Sequence, residues 1–145
     1  MGANRDVLAM SAKWLLIGVL RMTGGVMLCA LVFVFCPFEW MVAIHGRLGL
    51  GELAYTPLLS YLTRTLSAMY ASMGAILLFI SFDMERYLPL VRFFGVLSII
   101  GGVGVTILDA TLGLPLFWTV SEGPLTVALG VVFVVLAQTV PARAG

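Results

Sequence analysis

Polar residues are sparse along this chain, and its pattern is one of long apolar runs separated by short polar breaks. Runs over 14–36, 57–80, 88–111 and 115–138 are each long enough to cross a bilayer as helices. A helix rises about 1.5 Å per residue, so roughly 20 residues cover the hydrocarbon core. The second and third runs are joined by "SFDMERY" and the third and fourth by little more than "TLGL". Links that short make neighbouring helices antiparallel. The pattern therefore predicts an all-α polytopic membrane protein, an antiparallel four-transmembrane-helix bundle in a single domain over 1–145.

The segment 37–56, "PFEWMVAIHGRLGLGELAYT", is too apolar for an ordinary solvated loop. Pro37 suits a helix start, Glu39 suits the positive end of the helix dipole, and Gly46 suits a helix end. A short helix containing Trp40, Met41 and Ile44 is predicted, lying on the bundle or in the membrane interface. Arg5 and Lys13 precede the first run, Arg86 and Arg92 flank the second hairpin, and Arg143 follows the fourth run. The excess of Lys and Arg on that side predicts cytoplasmic termini and an outer 37–56 loop, in a cell inner membrane. The first run is too long for a signal-peptide core and carries Arg21, so it is predicted to remain as a transmembrane helix.

Ionisable groups inside a bilayer are costly and mark faces turned away from lipid. Arg64 shares a helical stripe with Ser60, Ser67, Ala68, Ala71, Gly74 and Ala75, small residues that let helices approach closely. Asp109 aligns with Gly102 and Gly95 at seven-residue steps, and Glu122 with Thr126, Gly130 and Ala137. Arg64 lies seven residues after Pro57 and Glu122 seven after Pro115, which puts both about 10 Å in from the outer end of their helices. An inward-facing cluster of Arg64 with Glu122, Asp109 or both is expected. Tyr61 and Trp118 are positioned to add hydrogen bonds, and His45 to close the cluster from the outer loop. Such a cluster either fixes helix register as a buried ion pair or receives a ligand or proton from outside. Arg21 shares a separate stripe with Gly18, Gly25 and Cys29, from which it snorkels to the inner interface or meets Asp83 or Glu85. Pro124, after Gly123, leaves two forms of the fourth helix: continuous and kinked, or shortened to begin at Ser121.

Composition narrows the chemistry. Of 145 residues 61% are hydrophobic and 10% charged, with a formal net charge of +1, so no basic patch exists for nucleic acid. Two cysteines, Cys29 and Cys36, stand seven apart without a metal or redox spacing and read as small packing residues. One histidine gives no metal centre; the remaining option is His45 with Glu39 and Glu52. No phosphate loop, serine elbow or zinc-protease pair occurs, and "GGVG" at 101–104 reads as a helix-packing element, so no enzyme activity and no cofactor is expected.

The order of these features resembles small bacterial four-helix membrane proteins of the DoxX-like type, some of which are associated with quinol oxidation. The chain is more similar still to bacterial membrane proteins sharing "WMVAIHGRLGLGEL" (40–53), "YLTRTLSAMYASMG" (61–74), "ILDATLGLP" (107–115) and "WTVSEGP" (118–124). That resemblance implies the architecture over about 38–137 and supplies no activity. The function expected is that of a non-enzymatic structural or accessory membrane subunit, in a homo-oligomer or a larger complex. The alternatives are a binding module for a lipophilic, quinone-like or small anionic ligand at Arg64 and Glu122, and an oxidoreductase-associated subunit or transporter.

Overall fold

A computed structural model describes residues 2–141, with side chains from Val7 onward. The side chain of Arg5 and all of Arg143, used above for orientation, lie outside the described residues. Helix α1 spans Gly2–Leu28, α2 Leu31–Phe35, α3 Phe38–Arg47, α4 Pro57–Phe82, α5 Leu88–Leu112 and α6 Leu116–Thr139. No strand occurs among the described residues. Four stretches are long and apolar enough to cross a membrane, Val7–Phe35, Pro57–Phe82, Leu88–Leu112 and Leu116–Thr139. Their surfaces are apolar as well, with Phe35 79%, Phe82 77% and Leu116 78% exposed. Water does not tolerate that much continuous apolar surface, and lipid does. The chain is thus all-helical, with four helices suited to a multi-pass membrane protein.

Prolines and glycines set the helix ends. The first span breaks at Cys29 and Ala30, and α2 stops because Cys36 is held extended (φ −67°, ψ 155°) before Pro37. Gly46 does not end α3, which runs on to Arg47. The stop is Gly49 in the left-handed region at φ +68°, with Leu50 N donating to His45 O and Gly49 N to Gly46 O. That is a Schellman arrangement, and the glycine it requires is three residues beyond the one expected. Thr56 caps α4 by accepting Leu59 N at 3.0 Å, with Pro57 in the first helical position. The same Schellman pattern closes α5, where Gly113 (φ +68°) lets Leu114 N reach Asp109 O at 3.1 Å. Helix α6 is continuous through Pro124, which settles the choice left open at Ser121.

The chain divides into two compact units, one of residues up to Leu20 together with those from Ile80 onward, the other Arg21–Phe79. In the first unit, α5 buries Leu88, Val91, Gly95, Gly102 and Asp109, a seam that includes the seven-residue repeat read from the sequence. Helix α6 answers with Gly123, Gly130, Phe133 and Ala137. A Cβ added to Gly130 would stand 2.5 Å from Gly95 O, and one added to Gly102 would stand 2.8 Å from Gly123 O. The two glycine pairs run in opposite order along the two helices, so α5 and α6 are antiparallel and touch backbone to backbone. Of "GGVG" only Gly102 belongs to this contact; Gly101 and Gly104 face open space. Lys13 on α1 meets Glu85 in the α4–α5 turn at 2.6 Å, in the same unit.

In the second unit, Gly24 of α1 crosses Gly74 of α4: a Cβ on Gly74 would lie 2.6 Å from both Gly24 O and Leu28 N. Gly18 and Gly25, which share a stripe with Arg21, have nothing within 4 Å of a Cβ, and Cys29, read as a small packing residue, is exposed. Segment 37–56 folds onto this unit through a cluster of Cys36, Phe38 and Met41 with Phe33, Leu53 and Leu59. Phe38 also meets Tyr55 edge to face at 5.2 Å. Trp40, Val42 and Ile44 on the same helix are exposed.

Candidate functional site

The residues singled out from the sequence divide between the units. Arg64, Tyr61 and His45 belong to Arg21–Phe79, whereas Asp109, Glu122 and Trp118 belong to the other unit.

Arg64 sits about two turns into α4, half-buried. Its Nη1 donates to Val34 O, its Nη2 to Cys36 O at 2.9 Å, and its Nε to Ser60 Oγ at a long 3.4 Å. The reason lies in the chain break at Pro37. The last carbonyls of a helix lack intrahelical donors, and α2 ends at Phe35 with Cys36 turned extended, which leaves Val34 O and Cys36 O without helical partners. In a bilayer an unsatisfied carbonyl has no water to turn to, and a guanidinium can donate to two at once. Arg64 therefore acts as a C-terminal cap supplied by a different helix.

The same device recurs in the other unit. Arg92 donates through Nε (3.2 Å) and Nη2 (2.8 Å) to Ala137 O, in the last turn of α6. The residue four positions after Ala137 is Pro141, which has no N–H for that carbonyl. Sequence reasoning used Arg92 only to orient the chain. The signal that could have found its role is a carbonyl four residues before a proline, with an arginine on a neighbouring helix.

Asp109 is 4% exposed, and its Oδ2 has no hydrogen-bond partner among the described residues. It lies in the last turn of α5, where its backbone carbonyl takes part in the Schellman closure. Glu122 is half-buried, one residue before the buried seam glycine Gly123, so it flanks the α5–α6 seam instead of occupying it. Its backbone carbonyl accepts Thr126 Oγ1 at 2.8 Å. Above it, Thr106 Oγ1 donates to Gly102 O at 2.7 Å and fills the space a side chain at 123 would need. Trp118 is half-buried, stacks edge to face on Phe117, and its carbonyl accepts Ser121 Oγ at 3.1 Å.

Tyr61 is exposed on α4. His45 Nδ1 donates to Gly51 O at 3.0 Å and so fastens the loop that follows α3. The carbonyl can only accept, which fixes the ring nitrogen as donor. Among the described residues no three His, Cys, Asp or Glu side chains gather as a metal would require, so His45, Glu39 and Glu52 do not form such a set. No protein family, curated protein or solved structure shows a match to this chain.

Proposed function

We propose that the chain is a multi-pass inner-membrane protein of DoxX-like architecture, with four antiparallel helices, cytoplasmic termini and α3 lying at the outer interface. In this reading it is a non-enzymatic structural or accessory subunit. The supporting observation is the use made of its membrane arginines: Arg64 and Arg92 donate to backbone carbonyls at helix ends, where intrahelical donors run out. Groups most capable of binding anions or moving charge are thereby engaged in holding helices together. Purification from native membranes in a mild detergent tests the role. A second copy or another chain in stoichiometric amount is expected, and a monomer with no partner refutes it.

Arg64 as counter-charge to Glu122 or Asp109 belongs to the same proposal and rests on helical spacing alone. A double-mutant cycle of Arg64→Leu with Glu122→Leu tests it. An interaction energy of about 0.5 kcal/mol or more supports the pairing, and additivity removes it.

A second reading, a site for a lipophilic quinone-like ligand, is favoured by Asp109 Oδ2. A buried carboxyl oxygen without a partner calls for an outside donor, such as a ligand hydroxyl. Organic extraction of the purified protein decides it: stoichiometric quinone, lost in Asp109→Leu, would establish this reading over the first.

A further inference from the structure

A groove of about 380 Å³ opens on the unit formed by the N-terminal residues and those from Ile80 onward. Its walls are Met10 and Trp14 of α1 and Val140 and Pro141 beyond α6, and its polar end is the Lys13–Glu85 ion pair. We propose that this groove holds one zwitterionic phospholipid, with its phosphate on Lys13 and its cationic amine toward Glu85.

Three observations carry the assignment. The ion pair is reachable, since the side chains of Lys13 and Glu85 are 37% and 33% exposed. An ammonium has three donors, and Lys13 directs one to Glu85 Oε1 at 2.6 Å, leaving two for a phosphate without breaking the pair. Glu85 supplies a negative charge within the same groove, which complements a lipid amine and is left without a counter-charge by an anionic headgroup that has no amine. The third observation is the position of the pair. Glu85 lies in the turn between two helices long enough to span the bilayer, so Lys13 is at the level where headgroups begin. Trp14, one residue further along α1 into the span and 64% exposed, presents an indole that suits the glycerol region, while Met10, 63% exposed, stands one turn away on the headgroup side.

The inference rests on the helices lying in a bilayer but not on the chain's being an accessory subunit. Native mass spectrometry of the full chain, loaded with equal phosphatidylethanolamine, phosphatidylcholine and phosphatidylglycerol, tests it. One zwitterionic lipid per chain is expected, with phosphatidylglycerol retained about tenfold less, the scale of one charge-assisted contact. Lys13→Gln should lower zwitterionic retention by about the same factor, and Glu85→Gln should shift the preference toward phosphatidylglycerol. Where Lys13→Gln loses its helical circular dichroism, Lys13→Arg must retain the lipid and Trp14→Ala must release it. Equal retention of all three lipids, preference for phosphatidylglycerol, or no retained lipid overturns the proposal. Each of those results leaves the test of co-purifying partners untouched.

Discussion

Gly101 and Gly102 are neighbours in the middle of α5, and the same substitution at the two should have opposite consequences. A Cβ at Gly102 would stand 2.8 Å from Gly123 O, 2.8 Å from Val127 Cγ2 and 2.9 Å from Val127 N, while one at Gly101 meets nothing within 4 Å. Two of those three obstacles are backbone of α6 and cannot rotate away. Ordinary contact begins near 3.4 Å, so α5 and α6 must separate by about 0.6 Å at this crossing. A gap of that size forfeits a quarter to a half of each affected dispersion contact along the seam. Overpacking a close contact costs about 1–3 kcal/mol. Replacing glycine by alanine in a helix also gains up to about 1 kcal/mol of backbone entropy, but both variants share that gain. The difference between Gly101→Ala and Gly102→Ala therefore isolates the packing term, expected at about 1–3 kcal/mol in favour of Gly101→Ala. Reversible unfolding in mixed detergent micelles, followed by circular dichroism, measures it. Equal stabilities for the two variants would refute the Gly102–Gly123 contact.

Removing the arginine caps should be costly in proportion to the carbonyls left bare. Arg64→Leu exposes the carbonyls of Val34 and Cys36 and should lose about 1–3 kcal/mol, with Arg64→Lys recovering part, and Arg92→Leu, at an exposed position, should lose about 1 kcal/mol by the same unfolding assay. Asp109→Leu removes a buried oxygen that has no partner, so a structural role predicts unchanged or raised thermal stability, and a marked loss would show that the carboxyl is held by a bound group. Gly49→Ala should destabilise by about 1 kcal/mol because its φ of +68° strains any side chain, whereas Gly46→Ala, inside α3 and in open space, should be neutral or stabilising in thermal scans.

Much of the architecture was legible because membrane spans are written in long runs, and length alone separates them from buried soluble helices. The runs 57–80 and 88–111 differ from α4 and α5 by only a residue or two at their ends. Seven-residue spacing also found the α5 face of Gly95, Gly102 and Asp109, since two turns of helix return nearly to the same direction. It was less exact where two small residues are adjacent. Gly24 and Gly25 are equal on any scale of size, and the choice is made by Gly74 on α4, which the α1 sequence does not contain. Glu122 and Gly123 pose the same problem, and the seam takes the glycine. The Lys13–Glu85 pair was hidden for a different reason, its partners being 72 residues apart with no local pattern to connect them.

The arginines show that a charged side chain in a membrane span finds backbone partners as well as counter-charges. A lone arginine in a membrane span prompts a hunt for an acid, because a charge in hydrocarbon needs compensation. Bringing an acid inward adds a second desolvation cost that the pair must then offset. A carbonyl four residues before a proline is already inside and already short of a donor, so meeting an arginine relieves two deficits without importing another charge. Ala137 with Pro141 fits that rule, and Val34 and Cys36 are short of donors because α2 ends at Phe35. Arg92 and Pro141 thus form a pairing that helical periodicity cannot display, because only the arginine lies on a helix face and the proline acts through a bond it fails to make. The arginines thus have backbone partners of their own, and Asp109, with its unpartnered oxygen, is the acid whose presence still demands a reason.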